Sequence, residues 1–220
     1  MSEATYTQLL DVTCGGLLFT AVLVLWRKEL AVIIRVFAAQ GVALAALVGV
    51  VAAHERSAEL SGVAVGLLVL RAGVLPWLLH RALAKAGPGR RETRPLVNVA
   101  ASLLAAAVLT LLAYAVSQPL VALAPSPATH AIPVGLTVVL VGFFVLVTRR
   151  RALSQLVGFL LMDNGITAIG FLTTAGIGLL VELGVSLDVL LAVLVLQILT
   201  TRMRETFGEA DLDELRELHD

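Results

Sequence analysis

Cysteine and charge are both scarce in this chain. The 220 residues include one cysteine, and Lys, Arg, Asp and Glu together make up 15% of the sequence, against a usual share of about 25%. A single thiol excludes a disulfide framework and a thiolate-bound iron–sulfur cluster within the chain. The net charge of +0 gives no electrostatic reason to expect nucleic-acid binding. We therefore expect no cofactor in this chain and no nucleic-acid partner.

Apolar residues are present in excess. They form 59% of the chain, and the mean hydropathy is +0.95, whereas soluble domains contain about 45–50% apolar residues. A water-soluble fold could not hide this much apolar surface, and intrinsic disorder requires the opposite composition. The composition predicts an integral membrane protein whose partner is the lipid bilayer.

The apolar residues fall into stretches long enough to cross a bilayer. A membrane helix needs about 20 mostly apolar residues, and the sequence offers seven such stretches. We predict an all-α, polytopic bundle of about seven transmembrane helices in one domain, residues 1–204, followed by an acidic cytoplasmic tail, 205–220. The predicted spans cover residues 6–26, 30–53, 61–80, 96–117, 131–148, 152–173 and 177–200, and the longest loops cover 81–95 and 118–130.

Basic residues are distributed unequally between the two sides of this arrangement. Most of the 16 Lys and Arg fall on one side, which the positive-inside rule makes cytoplasmic. The N-terminus is then outside and the C-terminus inside, since Arg56 alone lies on the opposite side and Arg35 and Arg71 lie within spans. The cytoplasmic set comprises Arg27, Lys28, Arg81, Lys85, Arg90, Arg91, Arg94, Arg149, Arg150, Arg151, Arg202, Arg204 and Arg216.

Three charged residues lie near the middle of predicted spans. Arg71, Asp163 and Asp188 share this depth, and Glu182 is shallower. A charge at mid-bilayer costs at least about 2.5–3.5 kcal/mol, so such residues face a bundle interior or water and are functional candidates. We predict a polar layer in which Arg71 lies near one or both aspartates. Burial favours the neutral form of a carboxyl group and a nearby cation favours its charged form, so these acids could exchange protons, whereas arginine stays charged.

Two further residues extend this interpretation. Gln155 lies two helical turns from Asp163 on nearly the same face and could continue a polar path towards the cytoplasm. Pro76 follows Arg71 by five residues and cannot donate a backbone hydrogen bond. We expect a kink there that frees a carbonyl group in the polar layer. The simpler alternative is a buried ion pair that only fixes helix packing.

Three segments resemble a known family. Residues 155–165 (QLVGFLLMDNG), 180–195 (LVELGVSLDVLLAVLV) and 70–78 (LRAGVLPWL) resemble segments of the membrane component E of hydrogenase-4. That family is related to the K-type membrane subunit of respiratory complex I and to the C-type subunit of multisubunit sodium/proton antiporters. The resemblance is most specific over residues 155–200.

The resemblance assigns roles to individual residues. Asp163 and Asp188 take the places of the two intramembrane acids that take part in proton translocation in those relatives. Asp163 stands where the family has glutamate, and Arg71 stands where it has lysine, so Arg71 keeps the charge but cannot carry a proton. The remaining matches to the two motifs are Asn164, Gly165 and Glu182.

The implied function is that of a membrane subunit. The resemblance implies a subunit of a group 4 nickel–iron hydrogenase or formate-hydrogenlyase-like complex in a prokaryotic plasma membrane. The nickel–iron and iron–sulfur centres would be held by peripheral hydrogenase subunits, and antiporter-like and quinone-site-like membrane subunits would be its neighbours. Two alternatives remain: a subunit of a multisubunit cation/proton antiporter without redox chemistry, and a purely structural membrane scaffold.

Overall fold

Six spans run through the part of the chain that can be described. A computed structural model describes residues 1–85, 97–123 and 125–174. Within these ranges, six helical spans are long and apolar enough to cross a membrane. The helices are α1 Glu3–Trp26, α2 Leu30–Glu55, α3 Ala58–Leu67, a π-helical segment Leu68–Val74, α4 Leu75–Lys85, α5 Val99–Leu123, α6 Pro127–Thr148 and α7 Ala152–Thr174.

Helices long and apolar enough to cross a membrane lie at the positions of the first six predicted spans, with changes at their ends. α3, the π-helical segment and α4 form one continuous span, Ala58–Ala84, which is longer at both ends than the predicted 61–80. The predicted seventh span, 177–200, and the tail 205–220 lie outside the described residues. The predicted boundary of the domain at residue 204 lies there too, and so do Asp188 and Glu182.

The prediction of an extended outer loop at 118–130 is wrong. α5 continues to Leu123 and contains Pro119, and α6 already begins at Pro127. Proline is favoured in the first turn of a helix, where its missing N–H would have no partner anyway. Ser126 caps α6 by accepting from the backbone N–H of Thr129 at 3.1 Å, and the Thr129 hydroxyl accepts from the Ser126 N–H at 2.8 Å. These caps hold α6 in helical form where composition alone suggested a loop.

Side-chain contacts show which helix ends lie together. The buried Arg149, after α6, donates from Nη2 to the carbonyl of Leu25, near the end of α1, at 3.1 Å. The junctions α1–α2 and α6–α7, both of which contain basic residues, therefore lie at the same end of the bundle. At the other end, the rings of Tyr6 and His54 stack with centroids 3.9 Å apart. This arrangement agrees with the predicted clustering of basic loops on one side.

Glycine residues bring α6 and α7 together closely. A Cβ atom placed on Gly165 would lie 2.6 Å from the backbone nitrogen of Val139, and one on Gly158 would lie 2.7 Å from that of Leu146. Real Cβ atoms do not approach this closely, so only glycine permits the contact. Small residues have the same role in many membrane helix pairs, where packing replaces the hydrophobic effect. Gly158 and Gly165 share one face of α7, and Asp163, two residues before Gly165, lies on the opposite face, away from α6.

The third span contains an interruption next to its arginine. Residues Leu68–Val74 are π-helical, and the backbone N–H of Leu75 donates to the carbonyl of Leu70 rather than to that of Arg71. Pro76 follows and has no N–H to donate. The expected disturbance beside Arg71 is thus present, as a π-helical segment within a continuous span. Such segments often mark functional sites.

Candidate functional site

The centre of the candidate site is an ion pair between the third span and α7. The guanidinium Nη1 of Arg71 lies 2.7 Å from Oδ2 of Asp163. Arg71 is 1% exposed and Asp163 is 7% exposed. Both residues lie near the middle of their spans, as the depth argument predicted. The prediction left open whether Arg71 lies near Asp163, Asp188 or both, and the structure shows that it pairs with Asp163.

Two neighbours of Asp163 on α7 also bind the guanidinium group. Arg71 donates from Nη1 to Oδ1 of Asn164, and from Nη2 to Oγ1 of Thr167 at 3.0 Å. The Thr167 hydroxyl in turn donates to the backbone carbonyl of Asp163 at 2.9 Å, which leaves its oxygen free to accept from Arg71. Residues 163 and 167 are one helical turn apart and share a face. One turn of α7 thus presents three acceptors to a single guanidinium group.

A side chain of α2 completes the polar layer. Asn164 donates from Nδ2 to Oε1 of Gln40 at 3.0 Å, and both residues are 0% exposed. The orientation of these amides follows from chemistry, because arginine only donates hydrogen bonds. Asn164 must turn its oxygen towards Arg71, which turns its nitrogen towards Gln40. The layer therefore links α2, the π-helical segment and α7 through five side chains: Gln40, Arg71, Asp163, Asn164 and Thr167.

A glycine lets α2 approach this layer. A Cβ atom on Gly41 would lie 2.7 Å from the carbonyl carbon of Arg71 and 2.8 Å from its carbonyl oxygen. Any other residue at position 41 would push the π-helical segment away from α2. The sequence Gln40-Gly41 thus provides both a polar contact and a backbone contact with the site. Its glycine is needed for the approach and its glutamine for the hydrogen bond.

The remaining predicted site residues lie in different places. Pro76 follows the π-helical segment, at the beginning of α4. Gly165 lies next to Asn164 and contacts the backbone of Val139 in α6. Gln155 lies in the first turn of α7, where its Nε2 donates to the carbonyl of Arg149 at 2.9 Å. Its role in a polar path stays a prediction, as do the roles of Glu182 and Asp188, which lie outside the described residues.

Sequence reasoning missed Gln40 and Thr167. Both are polar residues near the depth of Arg71 and Asp163, so the depth argument would have found them if applied to uncharged polar side chains. Gln40 is conspicuous in this respect, because it interrupts an otherwise apolar stretch of α2. The described ranges contain no cluster of three or more His, Cys, Asp or Glu side chains suited to a metal ion.

The layer combines a fixed charge with a titratable group. Arginine stays protonated at any physiological pH, and the amides and the hydroxyl do not titrate in this range. Asp163 is therefore the member of these five side chains that can gain or lose a proton. Loss of either charge from a buried ion pair strongly destabilises a protein. Formation or loss of the Arg71–Asp163 pair would therefore change the stability of the bundle strongly.

Comparison with known proteins gives one full-length and several partial matches. The chain is 50% identical over 220 residues to the uncharacterized protein Rv0085 of Mycobacterium tuberculosis, and the match covers both chains completely. It is 30% identical over 131 residues to hydrogenase-4 component E of Escherichia coli K12, and a Shigella flexneri protein of that name matches equally. These two matches cover 60% of this chain and 61% of the relatives. No protein-family model and no solved structure matches.

Proposed function

We propose that this chain, which belongs to the same protein family as Rv0085 of Mycobacterium tuberculosis, is a membrane subunit of a hydrogenase-like complex. The distant relation to hydrogenase-4 component E supports this proposal. The six spans and the apolar composition agree with a subunit that attaches a complex to the membrane. A subunit of this kind needs no reaction centre of its own.

The proposed partners follow from the same relation. Peripheral hydrogenase subunits would hold the nickel–iron and iron–sulfur centres, and other membrane subunits would lie beside this chain in a prokaryotic plasma membrane. α5 has the least buried surface of the six spans. It exposes large apolar side chains to lipid or to neighbouring subunits, including Leu104, Leu111 and Leu123. These surfaces are compatible with both environments.

We further propose that Asp163 contributes to proton translocation. The observation that carries this proposal is the pairing of Asp163 with Arg71, at 2.7 Å, in the apolar interior of the bundle. A carboxylate at this depth is costly, and such residues commonly mark ion or proton pathways. Arg71 would hold the site electrostatically while Asp163 takes up and releases the proton. Asp188 and Glu182 would extend the path, and Asn164 would position Arg71.

One observation favours the scaffold alternative. Arg71 has three acceptors on α7, and the pair is almost fully buried. A pair so well satisfied could serve only to hold the third span against α7. The two functions differ in one respect: a scaffold needs complementary side chains, whereas a proton carrier needs a carboxyl group.

Affinity purification tests membership of a complex. The full-length protein carrying a C-terminal tag is solubilised from its native membrane in a mild detergent, and the captured proteins are identified and quantified by mass spectrometry. We expect a nickel–iron large subunit and iron–sulfur subunits to be recovered with the chain in a molar ratio near one to one. Recovery of antiporter-like subunits alone would contradict the hydrogenase-like complex and indicate that the chain is a subunit of an antiporter. Recovery of the chain alone would contradict membership of any complex.

A further inference from the structure

Within the described residues, the side-chain nitrogen of Gln40 has no hydrogen-bond acceptor. The Nε2 atom of Gln40 is buried and has no partner among the residues of the three described ranges, and the residue is 0% exposed. The amide cannot simply be reversed, because Asn164 directs its own N–H group at the Gln40 oxygen. Reversal would place two donors against each other. The orientation that leaves Nε2 without an acceptor is therefore enforced by Arg71.

A donor in this position needs an acceptor. In the interior of a membrane protein no bulk water is available, and an unsatisfied amide N–H is costly. A lipid or a neighbouring subunit cannot reach Gln40 without opening the bundle, since the residue is fully buried. A water molecule is the smallest group that can accept from it. Buried waters typically occupy such sites and bind two to four polar groups.

The neighbouring backbone offers a second partner for this water. The carbonyl oxygen of Arg71 lies against Gly41, the residue that follows Gln40. A carbonyl oxygen has two lone pairs, so it can accept from a water molecule whatever other contact it makes. Gln40 is thus next in sequence to the residue at which α2 meets the Arg71 carbonyl, an acceptor at the contact between α2 and the π-helical segment.

We propose that Gln40 and the Arg71 carbonyl bind a buried water molecule beside the Arg71–Asp163 ion pair. Gln40 donates from Nε2 to the water oxygen, and the water donates to the Arg71 carbonyl. This inference rests on the geometry of α2 and the third span and does not depend on the proposed function. It has a consequence for that function, because arginine cannot release a proton whereas a bound water molecule can transfer one.

Solid-state NMR of the full-length chain in lipid bilayers tests this site. Gln40 is the only glutamine of the five that follows an alanine, so labelling alanine carbonyls with ¹³C and glutamine with ¹³C and ¹⁵N identifies its backbone nitrogen. Correlation within the residue then assigns its side-chain amide, and a uniformly ¹³C,¹⁵N-labelled sample reports the control. Magnetisation transferred from water into the Gln40 side-chain amide is then measured. The backbone N–H of Leu44, on the next turn of α2 and also 0% exposed, is the control. We expect transfer into Gln40 to be about tenfold stronger than into Leu44.

A near-isosteric variant provides a second measurement. Gln40→Met removes the amide and keeps the length of the side chain. We expect the infrared O–H stretching band of isolated, weakly bonded water, identified by its shift in H₂¹⁸O, to be lost in this variant. Equal transfer into Gln40 and Leu44, or a band unchanged by Gln40→Met, would overturn the inference. Either result would leave the outcome of the affinity purification unaffected.

Discussion

Removal of the charge of Asp163 should strongly destabilise the bundle. Asp163→Asn keeps the shape of the side chain but leaves the guanidinium group of Arg71 buried without a counter-charge. Breaking a buried ion pair in this way typically costs about 3–5 kcal/mol. Asn164 and Thr167 still accept from Arg71, so we expect the lower end of this range. A loss of about 3 kcal/mol corresponds to roughly 150-fold in the folding equilibrium.

A double-mutant cycle isolates the interaction between the two residues. Arg71→Gln alone should cost less, about 1–2 kcal/mol, because the carboxyl group that remains can take up a proton and become neutral. The double variant Arg71→Gln/Asp163→Asn contains no buried charge, and replacement of both partners is often nearly neutral. We therefore expect it to be more stable than Asp163→Asn by about 2 kcal/mol or more.

The free energy of unfolding is measured for all four proteins in lipid bilayers, by steric trapping or by reversible denaturation in mixed micelles. A wild-type value for Asp163→Asn, or strictly additive effects in the double variant, would refute the conclusion that these side chains form a buried pair. The same four proteins separate the two functions. If the double variant assembles normally but fails to move protons, Asp163 has a role beyond packing. If it assembles and still moves protons, the polar layer has only the structural role.

Three further predictions concern the packing of the helices and the orientation of the chain in the membrane. Gly165→Ala should cost about 1–3 kcal/mol by overpacking, because its Cβ would meet the backbone of α6, whereas Gly170→Ala, with nothing within 4 Å, should be neutral or slightly stabilising in the same unfolding assay. Arg149→Met should cost about 1–2 kcal/mol through the lost charge-assisted bond to the C-terminal end of α1, and an unchanged unfolding free energy would contradict that. In a cysteine-free background, Ser57→Cys should react with a membrane-impermeant thiol reagent from outside the cell and Arg150→Cys only after lysis; labelling of both from one side would refute the predicted orientation.

The sequence was most informative where one physical cost dominates. Transfer of about 20 apolar residues into a bilayer is so favourable that hydropathy located the first six spans, with end errors of up to six residues. The cost of a charge at mid-depth likewise identified Arg71 and Asp163, and it predicted that Arg71 lies near Asp163, Asp188 or both. Neither argument could say which helices are neighbours, because that depends on contacts such as those of Gly41 and Gly165, and glycine gives no hydropathy signal.

Uncharged polar residues show where the sequence reasoning stopped. Gln40 is less costly at mid-depth than a charge, so a search for charges passed over it, although it holds Asn164 in the orientation that Arg71 requires. The ends of α5 and α6 were missed for another reason. Proline-rich composition indicates a loop, whereas Pro127 occupies a capped helix start, where local hydrogen bonds of Ser126 and Thr129 decide the conformation.

The contacts around the ion pair also determine where its charge can change. Gly41 and Gly165 hold the backbones on both sides of the pair against their neighbours, so Arg71 and Asp163 cannot separate without moving whole helices. Arg71 contributes a permanent positive charge, and Gln40, Asn164 and Thr167 are neutral in every state. A change in the net charge of these five side chains must therefore arise at Asp163. When that carboxyl group is protonated, the guanidinium group keeps only neutral acceptors on α7, and the attraction between the third span and α7 weakens.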